Sequence, residues 1–286
     1  MVHGRLPMTL RTYRDVVGAD GSGVAAQVAA QRARVDRRLA TVRRVVAILS
    51  GKGGVGKSFV TAALARLAAA RWPERVGVLD ADLRSPTVAR MLGATGPLRV
   101  TPTGVVPALG FAGARVVSTD LLLEDERPLA WREPSGDAFA WRGALEAGVL
   151  REFLGDVAWG ELEVLLVDLP PGADGGVDLA HLAPGLAALA VTIPSEEARR
   201  SVARALRAAR DAGIRLLGVV ENMSGYRCGA CAATGPLFTG GAGAALAEQF
   251  GIPLLARVPF VALRAGESAD AAFDPAGAAR VLEALA

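Results

Sequence analysis

The chain is nearly devoid of lysine and asparagine: among 32 basic residues only Lys52 and Lys57 are lysines, and Asn222 is the one asparagine in 286 residues. Cysteine is almost as scarce. Cys228 and Cys231, three positions apart, cannot form a disulfide framework and read as a metal or redox pair. Long apolar runs are missing too. Stretches such as Val164 to Val167 and Leu186 to Val191 fall far short of the roughly 18 to 20 residues that a membrane helix needs, which excludes a span. Near the start, Arg5, Arg11 and Arg14 are not followed by the continuous apolar core of a secretory signal, so a cytoplasmic, reducing location is expected. Neither charge dominates: 32 basic against 29 acidic groups leave +3, too little to make nucleic acid the main partner.

What is present describes a globular domain, since 51% of residues are hydrophobic and only 21% charged. Residues 1–41 read as a basic extension. It has a Gly-rich break at Gly18 to Gly23, then an Ala/Arg/Gln-rich stretch suited to one helix, and is too short to bury a core of its own. Arginines crowd the region from Arg32 to Arg44, with Asp36 the one acid there, as on a solvated helix face. From residue 42 to 286, short aliphatic runs alternate with longer Ala/Leu/Arg stretches at helical spacing. Strands are expected at Val45 to Leu49, Val76 to Leu79, Arg115 to Val117, Val164 to Val167, Leu189 to Ile193, Leu216 to Val220 and Leu254 to Val258. Helices are expected at Lys57 to Ala70, Gly143 to Leu154, Glu196 to Ala212, Ala242 to Phe250 and Ala276 to Ala284. The alternation predicts an α/β fold, a doubly wound, mainly parallel sheet with helices on both faces. Gly93 to Gly113 and Leu121 to Ser135, rich in Pro and Gly, read as loops.

The strongest motif is Gly51-Lys52-Gly53-Gly54-Val55-Gly56-Lys57-Ser58, directly after the first expected strand and opening a helix. It satisfies the phosphate-loop pattern, in which backbone N–H groups curl round phosphate oxygens and the helix N-terminus adds its positive end. Lys57 would reach the β- and γ-phosphates, and Ser58 would place its hydroxyl on Mg²⁺, a hard cation that prefers oxygen. Asp80-Ala81-Asp82 and Asp168 end two other strands, so their carboxylates face the crevice at the carboxyl edge of the sheet. Asp168 suits the Mg²⁺ side through water. Asp82 suits placement of the attacking water, since phosphoryl transfer relies on positioning and charge compensation. For Asp80, a capping or turn role weighs about evenly with a catalytic one. Asn222, after the strand ending at Val220, offers an amide able both to donate to and accept from adenine, or else forms a turn. No guanine-reading pattern follows it, which favours ATP.

Two thiolates at Cys-x-x-Cys spacing can hold one edge of a soft metal centre, zinc or iron–sulfur. A redox pair would sit at the start of a helix near a first βαβ unit, and this one does not. With His3 and His181 far off in sequence, one chain does not complete four ligands, whereas a homodimer supplies four thiolates, the count of a [4Fe–4S] cluster.

Together these residues give the chain a specific resemblance. The phosphate loop, Asp80-Ala81-Asp82, Trp141-Arg142-Gly143, Trp159-Gly160-Glu161-Leu162, Asp168-Leu169-Pro170-Pro171-Gly172, Gly218 to Ser224 with Cys228 and Cys231, and Leu246 to Pro253 resemble the Mrp/ApbC family of iron–sulfur cluster carrier ATPases. That family lies within the deviant phosphate-loop class that also holds the MinD and ParA ATPases. The resemblance implies that Lys52 is the signature lysine that crosses a dimer interface to the partner's phosphates. It further implies that Gly51 to Phe59 and Asn222 bind ATP, with Lys52, Lys57, Asp82 and Asp168 serving weak hydrolysis that acts as a switch. Cys228 and Cys231 would hold a labile [4Fe–4S] cluster bridging two subunits, taken from upstream scaffold proteins and passed to apo iron–sulfur proteins. The sequence departs from the family at Phe59, where a threonine is usual, at Arg84-Ser85-Pro86-Thr87 and at Ala173-Asp174, which implies altered nucleotide affinity or slower hydrolysis. The alternative reading is a MinD/ParA-like positioning ATPase; a membrane-bound version would want a basic amphipathic C-terminal helix, and Ala276 to Ala286 has only Arg280.

Overall fold

The computed structural model describes residues 24–83, 85–122, 148–172, 175–231, 233–261 and 268–286. The expectations placed on Arg84, on Trp141-Arg142-Gly143, on Ala173-Asp174, on residues 1–23 and on most of the Leu121 to Ser135 stretch lie outside them. In chain order the helices are α1 (Val24–Leu39), α2 (Lys57–Arg71), α3 (Val88–Met91), α4 (helical over residues 148–156), α5 (Gly175–Leu182), α6 (Glu196–Asp211), α7 (Ala242–Phe250) and α8 (Pro275–Leu285). The strands are β1 (Val45–Leu49), β2 (Val76–Asp80), β3 (Arg99–Thr101), β4 (Gly104–Val106), β5 (Ala108–Leu109), β6 (Arg115–Val117), β7 (Val164–Asp168), β8 (Ala187–Thr192), β9 (Arg215–Arg227), β10 (Thr234–Gly235) and β11 (Leu254–Val261).

One sheet runs β10-β9-β8-β1-β7-β2-β6-β5, with β11 also on β9; β3 and β4 form a separate hairpin. Its centre is parallel, and only the short β5 and β10 pair antiparallel. The central strands are buried at every position because both faces are covered, and they are apolar except at the carboxyl ends of β7 and β8, Asp168 and Thr192. Alternation sorts the two sides. Val46 and Ile48 pack with Val60 and Leu64 of α2 and Val281 of α8, whereas Val45, Ala47 and Leu49 pack with Leu179 of α5, Leu154 of α4 and Val35 of α1. A third cluster joins Val202 and Leu206 of α6 to Leu246 and Phe250 of α7 over Ala190 and Val219.

The sheet and its helices agree with the expected class, but three local readings change. The Gly93 to Gly113 stretch, read as loop, contains β3, β4 and β5, pieces of two or three residues too short to show a period of two. Helix α5 follows the Pro-Pro-Gly segment unannounced, its eight residues giving barely two turns of pattern. Strand β9 runs on to Arg227 rather than stopping near Val220, so Asn222 lies inside a strand and not in a turn after it.

The helical part of the N-terminal extension is docked. Val35 is buried, Arg34 Nε donates to Asp156 Oδ1 at 3.0 Å, and Thr41 Oγ1 donates to the Gly160 carbonyl at 2.7 Å. Next to this seam Trp159 is fully buried, its indole N–H donating to the Phe153 carbonyl at 3.2 Å. Replacing it by alanine leaves a large cavity and removes the indole's hydrogen bond to the Phe153 carbonyl. Trp159→Ala is therefore expected to lose about 3–5 kcal/mol of unfolding free energy in urea titration, and a loss below about 1 kcal/mol would contradict this packing.

Candidate functional site

Strand β7 lies between β1 and β2, which puts Asp168 at its carboxyl end directly beside the turn that carries Gly51 to Gly56 into α2. The first five residues of α2 close on that carboxylate. Ser58 Oγ donates to Asp168 Oδ2 at 2.7 Å, Thr61 Oγ1 donates to Oδ1 at 2.6 Å, and Lys57 Nζ forms an ion pair with Oδ2 at 2.8 Å. Lys57 and Asp168 are both buried, so neither charge is hydrated and each needs the other. Thr61 was missed by sequence reasoning. Its signal was a hydroxyl four positions after Lys57 in an otherwise Ala/Leu-rich helix, where i and i+4 share a face.

Three features fit the loop to a phosphate group. Helix α2 begins after Gly56, held in the left-handed region at φ 78°, with no side chain capping its first N–H groups. Open space adjoins Gly53 and Gly54, where an added Cβ would meet no atom within 4 Å. Lys57 Nζ, although paired with Asp168, makes no directed hydrogen bond, so its donors can turn to an incoming acceptor. A hydroxyl beside a carboxylate is likewise the all-oxygen donor set that Mg²⁺ takes. The Asp168 to Gly172 segment is tied back to the loop by the Gly172 N–H, which donates to the Ser50 carbonyl at 2.9 Å.

The other expected residues divide. Asp80 lies in register with Asp168 and is fully buried. Its Oδ2 accepts from the N–H groups of Thr87 and Val88, at 2.9 and 3.2 Å, and from Ser118 Oγ at 3.2 Å, so it caps α3, while Oδ1 has no partner among the described residues. Burial first, and the neighbouring Asp168 charge second, push its carboxyl up from 3.8 to about 7. Asp82 is half-buried just past β2, and no described residue hydrogen-bonds its carboxylate, which leaves it available in the crevice. Lys52 is half-buried with no ion pair among the described residues, and Phe59, in the first turn of α2, is partly buried against the core.

Asn222 is where expectation and geometry part. Its Nδ2 donates to the Val55 carbonyl at 2.9 Å, and an added Cβ at Gly56 would approach that nitrogen to 2.2 Å. One of the two N–H donors of the amide expected to read adenine is therefore committed to the phosphate loop. Its neighbour Glu221, also not foreseen, is buried and accepts from the Gly243 N–H of α7 at 2.6 Å and from Arg257 Nε at 3.4 Å.

Beyond Asn222, β9 continues to Arg227 and turns back as β10, with the Cys228 N–H donating to the Ala233 carbonyl at 2.9 Å. Both cysteines are free thiols at this tip, Cys228 half-buried and Cys231 exposed. Hydrogen bonds from the Cys231 and Ala230 backbone, then from the Cys231 side chain, hold the Cys228 thiol below its ordinary value, which favours the thiolate. Among the described residues no three His, Cys, Asp or Glu side chains gather as a metal site, so the pair stands alone among them.

Comparison with known proteins agrees with this geometry. The family model described as "ParA: NUBPL iron-transfer P-loop NTPase" matches residues 41–276. The chain is 39% identical over 237 residues, 82% of its length and 76% of the relative's, to the iron-sulfur cluster carrier protein of Saccharolobus solfataricus. It is 38% identical over 228 residues, 77% of its length and 80% of the relative's, to the human cytosolic Fe-S cluster assembly factor NUBP2. Among solved structures it is similar to a nucleotide-binding protein from Archaeoglobus fulgidus in complex with ADP, with TM-score 0.67, 32% identity, and 88% and 91% of the two chains covered.

The raised Asp80 carboxyl has a stability consequence. Between roughly pH 4 and 7 the folded chain holds a proton at Asp80 that the unfolded chain has released, so this group makes stability fall as pH rises through that window. Thermal melts of the nucleotide-free protein are expected to show a fall in Tm from about pH 5 to about pH 8 that Asp80→Asn flattens. Equal slopes for the two proteins would show that Asp80 does not titrate there.

Proposed function

The chain belongs to the NUBPL-type iron-transfer P-loop NTPases, and from that premise we propose that it is an ATP-dependent iron–sulfur cluster carrier. In this reading two copies hold a labile [4Fe–4S] cargo between them and pass it to apoproteins. The observation that carries it is the cysteine hairpin: two free thiols at an exposed tip, on a chain with no other cysteine, supply half of the four thiolates such a cluster takes. A second copy supplies the rest. A centre held by two exposed thiolates per chain is easily released, as a carrier requires.

At the nucleotide end, Lys57 and the uncapped N–H groups of α2 would cradle the β- and γ-phosphates, and Ser58 with Asp168 would hold Mg²⁺, the latter through water. Mg²⁺ neutralises the phosphate charge that develops during transfer. Lys57 sits between Asp168 and the loop, so an arriving γ-phosphate competes with Asp168 for its ammonium. Asp82, whose carboxylate has no hydrogen-bond partner among the described residues, would orient the attacking water. Lys52 would reach the partner's phosphates, which makes nucleotide occupancy a condition of dimerisation and hydrolysis a slow switch. The proposed location is the cytoplasm, where reduced thiols persist; among the described residues no helix is long and apolar enough to cross a membrane.

Anaerobic reconstitution with iron and sulfide, followed by incubation with an apo acceptor enzyme that needs a four-iron cluster, tests this reading. The wild type is expected to take up about four irons per dimer and restore the acceptor, while Cys228→Ala/Cys231→Ala takes up none. Lys57→Ala is expected to keep iron uptake and lose Mg-ATP binding. If neither the wild type nor the double variant binds iron while Mg-ATP still dimerises the protein, a MinD/ParA-like positioning ATPase becomes the better account.

A further inference from the structure

One strand touches both ends of this machinery. Asn222 and Cys228 lie six positions apart on β9 and its continuation, the first bonded to the phosphate loop and the second at the cysteine tip. Upstream, β9 is held on both sides, by β8 as far as the Glu221–Thr192 pair and by β11, and Glu221 is fastened to α7. Past Glu221 the support of β8 ends. Val258 of β11 then faces Asn222 and Phe260 faces Tyr226, so two steps on β11 answer four on β9 and the strand bulges over residues 223–225. Met223, within the bulge, has φ 52°, a left-handed conformation that a residue with a Cβ adopts only when its surroundings impose it. After the bulge the ribbon is stiff again, with Tyr226 and Arg227 paired to β11 on one side and β10 on the other.

The loop end of this connection has a directional property. The Val55 carbonyl and the Gly56 N–H belong to one planar trans peptide unit and point in opposite directions. Asn222, by holding the carbonyl, turns the Gly56 N–H away from its own side-chain amide on β9. A phosphate accepting from that N–H polarises the same unit and strengthens the carbonyl's bond to Asn222, a cooperative gain of about 10–30% per bond. The pull reaches β9 where its upstream side is anchored and its downstream side is hinged.

We propose that Asn222 is a positioning residue that couples occupancy of the phosphate loop to the setting of the cysteine hairpin, acting through the Val55 carbonyl and the bulge at Met223. The proposal rests on the reading that the loop takes ATP and that the cysteines hold the transferred cluster. It gives the sole asparagine a use that differs from base recognition. It also makes the coupling reciprocal: whatever fixes the cysteine hairpin tightens the loop.

The test uses the full chain without iron, so that it does not depend on cluster loading. Alkylation of Cys228 and Cys231 by iodoacetamide is timed with and without saturating Mg-ATP, at dilutions where light scattering gives the same mass in both, and nucleotide affinity is measured by calorimetry. In the wild type, saturating nucleotide is expected to change the alkylation rate about fivefold or more, the low end of ordinary coupling between sites. In Asn222→Ala the rate is expected to be the same with and without nucleotide, even at saturation. Met223→Gly keeps the Val55 bond and loosens the hinge; its nucleotide affinity should match wild type while its thiol response shrinks, and this variant decides the matter should Asn222→Ala fail to fold. A wild-type rate indifferent to nucleotide, or an Asn222→Ala or Met223→Gly response equal to wild type, overturns the proposal. Failure of the carrier reading would look different, with no iron uptake on reconstitution while the thiol response to nucleotide persists.

Discussion

Everything at the nucleotide end hangs on one buried carboxylate. Asp168 takes a hydroxyl from Ser58, a hydroxyl from Thr61 and the ammonium of Lys57, all from the first five residues of one helix. Fixing three α2 side chains at the end of β7 sets the height at which α2 starts, and with it the shape of the loop from Gly51 to Gly56. An acceptor with two oxygens can serve three donors only if the donors arrive from a common face, which the helical spacing of 57, 58 and 61 provides. The ion pair is costly to bury and would be a poor device for stability alone. Its use lies in poise: an ammonium held by one anion can be shared with another.

The sheet was legible in the sequence because its strands are buried on both faces and read as unbroken aliphatic runs, and β1, β6 and α7 fall where expected to the residue. The loop residues were legible because phosphate binding demands glycines, a lysine and a hydroxyl at fixed offsets. Short strands such as β3 to β5 were hidden, since two or three residues carry no period. Asn222 stood out by its residue type, but its bond to the Val55 carbonyl was not visible in the sequence. Its residue type announced a special site, yet only the strand order and the closeness of Gly56 show that the amide meets the loop backbone. Asp80 was read evenly between cap and catalyst, and its bonds to Thr87 and Val88 make it a cap with one oxygen left unpaired among the described residues.

The two functional ends are linked by a strand that exceeds its neighbour β8. Where β8 stops, β9 gains freedom that a central strand lacks, and the chain spends that length on a bulge, a ribbon and a turn carrying both thiols. A thiol pair placed on such an arm, Cys228 half-buried and Cys231 exposed, is what the proposed cargo role asks for rather than a resident cofactor site. Under the proposed reading each chain supplies half a ligand set, so the thiols at the tip and the lysine at the loop would serve one and the same assembly.

Native mass spectrometry of the anaerobically reconstituted chain with Mg-ATP tests that assembly most directly, since it weighs protein, nucleotide and metal in one ion. The account predicts a dimer that carries two nucleotides and a single cluster of about four irons, and that falls to monomers when the cluster is removed and nucleotide withdrawn. A monomer holding its own metal, or a nucleotide-bound dimer that never acquires iron, would contradict it.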